Sequence, residues 1–198
     1  MENRHEGKFV SYYGEDELPR LGFSFLGRDV KLSRRASVYG ANRIAVGDHS
    51  RIDDFCVLSA GEGGIHIGRY VHVAAMCTLI GKGRITISDL STLSGRVNVY
   101  SSTDDYSGAA MTNPTVPTEV TNVDHRPVWI GRHVIVGCGS VILPGAVLED
   151  GVALGALSLA KGRLQECKIY AGIPAREIGD RQKRFLELER RVGLDESK

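Results

Sequence analysis

Residues 128–165 read VWIGRHVIVGCGSVILPGAVLEDGVALGALSLAKGRLQ. Apolar anchors fall at Ile130, Val136, Ile142, Leu148, Leu154 and Ala160, one every six positions without a slip. Four places after each comes a smaller or branched residue: Val134, Ser140, Ala146, Val152, Ser158 and Leu164. A helix repeats near 3.6 residues and a half-buried strand near 2, so neither accounts for six. A fixed short repeat marks a coiled parallel sheet in which each unit is one strand plus one corner. Three units bring the chain back over its previous turn, so residues eighteen apart stack. The anchors then fill a narrow prism and the smaller residues occupy its corners. Gly131, Gly137 and Gly155 each follow an anchor and ease a corner by removing the Cβ. Each coil covers the edge of the one before, so stability builds from neighbour contacts.

Working outward, the rhythm begins at Leu26, Leu32 and Val38. It resumes two residues late at Val46, Ile52 and Leu58, three late at Ile67, Val73 and Leu79, and two late at Ile87, Leu93 and Val99. The insertions fall between triplets, where one corner can bulge. Six triplets predict about six coils over residues 26–176. Residues 1–25 read as a lead or cap. Residues 177–198 have helix-forming composition, with Ile178, Phe185, Leu188 and Val192 spaced as one apolar stripe.

The chain has 198 residues and a formal net charge of +1, which suits one domain and gives no general case for nucleic acid or an anionic membrane surface. No run approaches the ~20 apolar residues of a membrane span, and the charged start MENRHEGK does not read as a signal peptide, so a cytoplasmic protein is expected. Cys56, Cys77, Cys138 and Cys167 contain no CxxC, and the first two take corner positions, so small core residues are expected and no metal site.

One interruption is of another size. Between Val99 and Ile130 about 25 residues leave the prism, roughly 103–127, carrying STDDYSG, MTNPTVPTEV and DHRPVW. A loop this long inside a compact domain is usually functional or disordered.

The hexads, the one large loop and the run Lys168-Ile169-Tyr170-Ala171-Gly172-Ile173-Pro174-Ala175-Arg176 together resemble the left-handed β-helix, or hexapeptide-repeat, acyltransferases. The resemblance implies an all-β fold, a left-handed parallel β-helix with one excursion loop and a C-terminal α-helix. It also implies a homotrimer with active sites between subunits, and acetyl-CoA or another short acyl-CoA lying along the C-terminal coils. Left-handedness comes from the resemblance alone, because parallel crossovers are normally right-handed. Gly137, Gly139, Gly155 and Ala156 offer open backbone for a pantetheine arm. Lys161, Arg163, Lys168 and Arg176, with Pro174 in the same motif as Arg176, supply a site for phosphates.

In the related maltose and galactoside acetyltransferases a Tyr-Thr-Ala-Thr-His segment carries the base. Here the corresponding run is Tyr100-Ser101-Ser102-Thr103-Asp104, with aspartate where those enzymes have histidine. A sugar hydroxyl must lose its proton as it attacks and favours a base near neutrality. Aspartate, with a reference pKa of about 3.9, is a weak base for that task. A neutral amine is already nucleophilic and mainly needs orientation, which Asp104 and Asp105 can supply. The chain therefore resembles the N-acyltransferases of nucleotide-linked amino-deoxy sugars that feed surface polysaccharide. Tyr100 and Tyr106 are candidate contacts to the nucleotide sugar. Backbone N–H groups of Gly137 or Gly139 are candidates for the oxyanion. Asp104 and Asp105 also read as turn formers. His125, at the far end of the loop, keeps sugar O-acetylation open as the alternative.

Overall fold

The computed structural model describes residues 11–194. Its strands form three parallel sheets wound as a three-sided solenoid. Face one stacks Phe25–Leu26, Ile44–Val46, Ile65–Ile67, Ile85–Ile87, Val128–Ile130, Val147–Leu148 and Arg163–Leu164. Face two stacks Lys31–Leu32, Arg51–Ile52, His72–Val73, Thr92–Leu93, Ile135–Val136, Ala153–Leu154 and Lys168–Ala171. Face three stacks Ser37–Tyr39, Val57–Ala60, Thr78–Gly81, Asn98–Tyr100, Val141–Ile142 and Leu159–Ala160.

The sixfold rhythm has the physical meaning expected of it. The anchors from Val46 to Ala160 are all within 2% of complete burial, whereas Leu26 and Val38, in the end coil, are half-buried because only one neighbour covers them. Corner residues Ser50, Ser91, Ser140 and Ser158 are buried, and the first three donate to backbone carbonyls of the next coil, at Gly68, Gly131 and Gly155. Many corners place one residue in the left-handed region: His49, Tyr70, Leu90 and His133 after face one, and Phe55, Met76, Arg96 and Leu157 after face two. Side chains other than glycine rarely adopt that conformation, so the corners are held there by the stacked ladder above and below.

Faces one and two carry seven strands each, so the solenoid has about seven coils where six were expected. Leu164 is the reason. Taken from its spacing as a corner residue, it is instead an anchor of face one, paired with Leu148. Gly162, at φ +69°, turns the chain two residues early and starts a last coil completed by Tyr170 opposite Leu154.

Both ends of face two are closed by antiparallel chain, which covers edges that would otherwise pair with other molecules. At the start, Tyr12 bridges Ser33, the Tyr13 amide donates to Leu32 O at 3.0 Å, and Leu18 is buried against the first coil. The cap expected over 1–25 is thus described from residue 11 onward; the lead before it lies outside the described residues. At the other end Arg176–Asp180 pairs with Lys168–Ala171, and only then does helix α1, Arg184–Arg191, begin. The helix expected from 177 starts late because residues 176–180 satisfy the sheet edge; its last four positions lie outside the described residues.

Of the apolar stripe read into this segment only Phe185 packs against the solenoid. Ile178, Leu188 and Val192 are 66%, 47% and 63% exposed. Helix α1 docks through Phe185, which lies 4.7 Å from the His133 ring, and through the buried carboxylate of Glu189, which meets Arg132 and His133. Arg181 reinforces the joint by donating to His133 O at 2.6 Å and Gly151 O at 3.0 Å.

Candidate active site

The excursion leaves face three after Tyr100 and rejoins face one at Val128 without disturbing the stack. Ile87 pairs directly with Ile130, and Val99 with Ile142. Its root is a short antiparallel ladder, Ser102–Thr103 against Asp124–His125. Ser102 joins root and solenoid: its Oγ accepts the Lys82 amide at 2.8 Å and lies 2.7 Å from His125 Nδ1.

Beyond the root, Asp104, Asp105, Tyr106, Met111, Asn113 and Val116 line a hollow of about 670 Å³ made by the loop itself. The two aspartates differ. Asp105 accepts the Ser107 amide at 2.7 Å and Asn122 Nδ2 at 3.2 Å; the Ser107 hydroxyl first, then the Ser107 amide and Asn122, hold its carboxyl below the usual carboxylate range. It therefore forms the turn. The Asp104 carboxylate, half-buried at the loop root, has no hydrogen-bond or ion-pair partner among the described residues. Tyr106 is 94% exposed, and Tyr100 stacks beside Ile80 on face three. His125 is exposed, with its imidazole tied to Ser102.

The glycines of the C-terminal coils have an architectural explanation. A Cβ on Gly137 would stand 2.3 Å from Ala156 N, one on Gly139 (φ +72°) 2.8 Å from Leu157 Cδ2, and one on Gly155 3.2 Å from Ala171 Cβ. The corner between faces two and three needs small residues for coils to stack. The Gly137 and Gly139 amides, expected to meet an oxyanion, already donate to Leu154 O at 2.7 Å and Gly95 O at 3.0 Å. They are spent within the ladder. At the same corner the amides of Cys138 and Ala156 have no partner among the described residues and are the available donors.

The expected phosphate-binding cations separate into two groups. Lys168 sits between Asp180 at 2.6 Å and Glu177 at 3.0 Å, which raises its pKa and compensates its charge. Arg163 lies on face one and pairs with Glu149. Lys161 is exposed beside Gly162. Arg176 is exposed next to the Ile173-Pro174 turn; among the described residues its guanidinium reaches only Ala175 O, at 3.4 Å, and no carboxylate pairs with it.

Two residues given no role of their own at the sequence level stand out. Ser94 occupies the corner place held by Gly137 and Gly155 in later coils, and its hydroxyl has no partner among the described residues. Its position just after an anchor, among glycines, was the available signal. Trp129 is 47% exposed on face one.

No family model matches the chain. It is 49% identical over 180 residues, covering 91% of this chain and 94% of the relative, to dTDP-4-amino-4,6-dideoxy-D-glucose acyltransferase of Escherichia coli. Among solved structures it is similar to AntD, an N-acyltransferase from Bacillus cereus, in complex with dTDP and 3-hydroxybutyryl-CoA, with TM-score 0.86, 40% identity and coverage of 93% and 97% of the two chains. A serine-to-alanine variant of AntD with dTDP-4-amino-4,6-dideoxyglucose and Coenzyme A gives TM-score 0.87 and 38% identity over 94% and 99%. An aspartate-to-alanine variant with dTDP and Coenzyme A gives 0.88 and 38% over 94% and 99%.

Proposed function

The chain belongs to the hexapeptide-repeat acyltransferases, and from that premise we propose that it transfers an acyl group from a CoA thioester to the amino group of a dTDP-linked amino-deoxy sugar. The observation that carries the reading is the unpartnered carboxylate of Asp104 at the loop root, in a chain 49% identical to an acyltransferase of that substrate class. Asp104 accepts a hydrogen bond from the sugar amine and aims its lone pair at the thioester carbonyl. The tetrahedral oxyanion is met by the Cys138 or Ala156 amide. As the C–S bond breaks, the departing thiolate takes the proton released from nitrogen. Arg176 holds a CoA phosphate.

Ser94 joins this list. The serine and aspartate substituted in the AntD structures lie ten residues apart, as Ser94 and Asp104 do here. A hydroxyl and a carboxylate, both without internal partners, together can hold two hydrogens of one amine.

A trimer with sites between subunits is supported by the character of face three. Its strands carry no charged residue or histidine, whereas face two carries Lys31, Arg51, His72 and Lys168. One edge of face three bears the loop root. The other bears the exposed apolar corner of Phe55, Met76, Leu157 and Ile173, at 53%, 46%, 71% and 75% exposure. Unlike edges that meet head to tail close into a ring of three when each protomer is turned by a third of a revolution from the last. In that ring Asp104 of one protomer faces the Ser94–Gly137–Gly155 corner of the next. A cytoplasmic location and service to surface polysaccharide complete the proposal; no helix among the described residues is long and apolar enough to cross a membrane.

The test is thiol release from acetyl-CoA and from 3-hydroxybutyryl-CoA, with a dTDP-linked 4-amino sugar offered beside its 4-hydroxyl counterpart. Release with the amine alone is expected. Release with the hydroxyl sugar, abolished by His125→Ala, would overturn N-acylation in favour of O-acylation.

A further inference from the structure

An open groove of about 740 Å³ runs along face one, floored by Thr86, Trp129 and Val147 and flanked by Arg84 and Arg163. Pairing in register sets the three floor residues in one column, so the Trp129 indole stands on a flat sheet between two small neighbours. Most charges around it are already matched. Arg163 pairs with Glu149, Arg132 with Asp89 and Glu189, and the carboxylate of Asp150 accepts the Arg132 amide at 2.8 Å. Arg84 is different: it is exposed, and its guanidinium has no partner among the described residues.

An exposed indole face beside an uncompensated guanidinium suits a ligand with an aromatic base and phosphate oxygens. The ring stacks, and the planar fork binds two oxygens at once. We propose that this groove holds the nucleoside diphosphate of the acyl acceptor, with the base on Trp129 and the phosphates on Arg84. The assignment rests on the function proposed above and adds the subsite that anchors its substrate. The groove is placed for it. Pro127, where the loop rejoins the solenoid, lines one end, and Trp129 follows His125 of the loop root by four residues. At ~3.3–3.6 Å per extended residue, that separation is at most about 14 Å. A nucleoside diphosphate spans a comparable length, so its sugar is delivered to the loop root that carries Asp104.

Trp129 is the only tryptophan of the chain, so its emission reports on this groove. In the full-length protein, titration with dTDP should change that emission saturably, and titration with CoA should not. Arg84→Gln should weaken dTDP binding about tenfold while leaving CoA binding within twofold, as expected for loss of a bidentate phosphate contact. Trp129→Leu should raise KM for the nucleotide-linked amino sugar about tenfold with kcat within twofold, the pattern of lost uniform binding. If dTDP leaves the emission unchanged in enzyme that releases thiol with the amino sugar, the nucleotide lies elsewhere and the assignment is wrong. An emission change driven by CoA in place of dTDP overturns it as well. Protein that binds dTDP at Trp129 yet never acylates the amine retains the groove and removes the transferase reading.

Discussion

The carboxylate of Glu189 lies 2.6 Å from His133 Nε2 and fastens helix α1 to a corner of the solenoid 56 residues earlier in the chain. The same carboxylate receives Arg132, and it is only 6% exposed. Removing one member of a buried ionic cluster leaves the others uncompensated, which costs more than the pair itself contributes. Glu189→Ala should therefore lower stability by about 2–4 kcal/mol. The lower end is expected because Arg132, at 30% exposure, stays in reach of water. Denaturant unfolding checks this, and hydrogen exchange should show protection lost first in residues 184–191.

Asp104→Asn should reduce turnover by roughly 10²-fold, the scale of a misoriented reacting group, while sedimentation shows an unchanged oligomer. Asp105→Asn should cost far less, because Asp105 holds the loop turn through Ser107. Equal losses in the two variants would remove the distinction drawn between them.

Arg176→Gln should raise KM for the acyl-CoA with little change for the nucleotide sugar. Lys168→Gln should leave both constants nearly unchanged, since Lys168 is held between Asp180 and Glu177. Steady-state kinetics with each substrate varied in turn separates the two.

Gly137→Ala should destabilise the fold by about 1–3 kcal/mol, the usual cost of overpacking. The added methyl would lie 2.3 Å from backbone, which cannot move aside as a flexible side chain can. Thermal unfolding measures it. A stability equal to wild type, with only CoA affinity lost, would return Gly137 to the ligand.

Asp53 gives the fold an acid-sensitive contact. Burial pushes its carboxyl up, but hydrogen bonds from Arg51, His72 and Tyr12 outweigh burial and hold it at about 2. A depressed pKa contributes stability above the unfolded value near 3.9, and that stability is lost as pH falls through the folded value. With the side chain 15% exposed, the contribution at neutral pH is about 1–2 kcal/mol after screening. Wild type should lose this between about pH 4 and pH 2, and Asp53→Asn should show a flatter stability profile across that window.

The solenoid was legible because its constraint is local and repeated. An anchor every six residues is the condition for closing a three-sided coil, so Ile130 through Ala160 declared the fold, and the insertions declared which corners bulge. The last coil was missed because Gly162 shortens one corner by two residues and moves Leu164 from a corner to an anchor. The C-terminal stripe was right only at Phe185, because helix α1 is otherwise held by Glu189, whose partners, His133 and Arg132, are far away in sequence.

Sequence alone determined the hexad prism, the loop at 103–127 and the aspartate at its root, since each is written in contiguous residues whose spacing fixes their geometry. Only the tertiary structure decided which of two adjacent aspartates is free, which amides at the glycine corner remain unspent, and which arginine on face one lacks a carboxylate. The first is settled inside the loop, where Ser107 and Asn122 hold Asp105; the other two depend on what the neighbouring coil brings to each group. That neighbour lies sixteen to forty-three residues away, a distance over which residue type carries no record of contact.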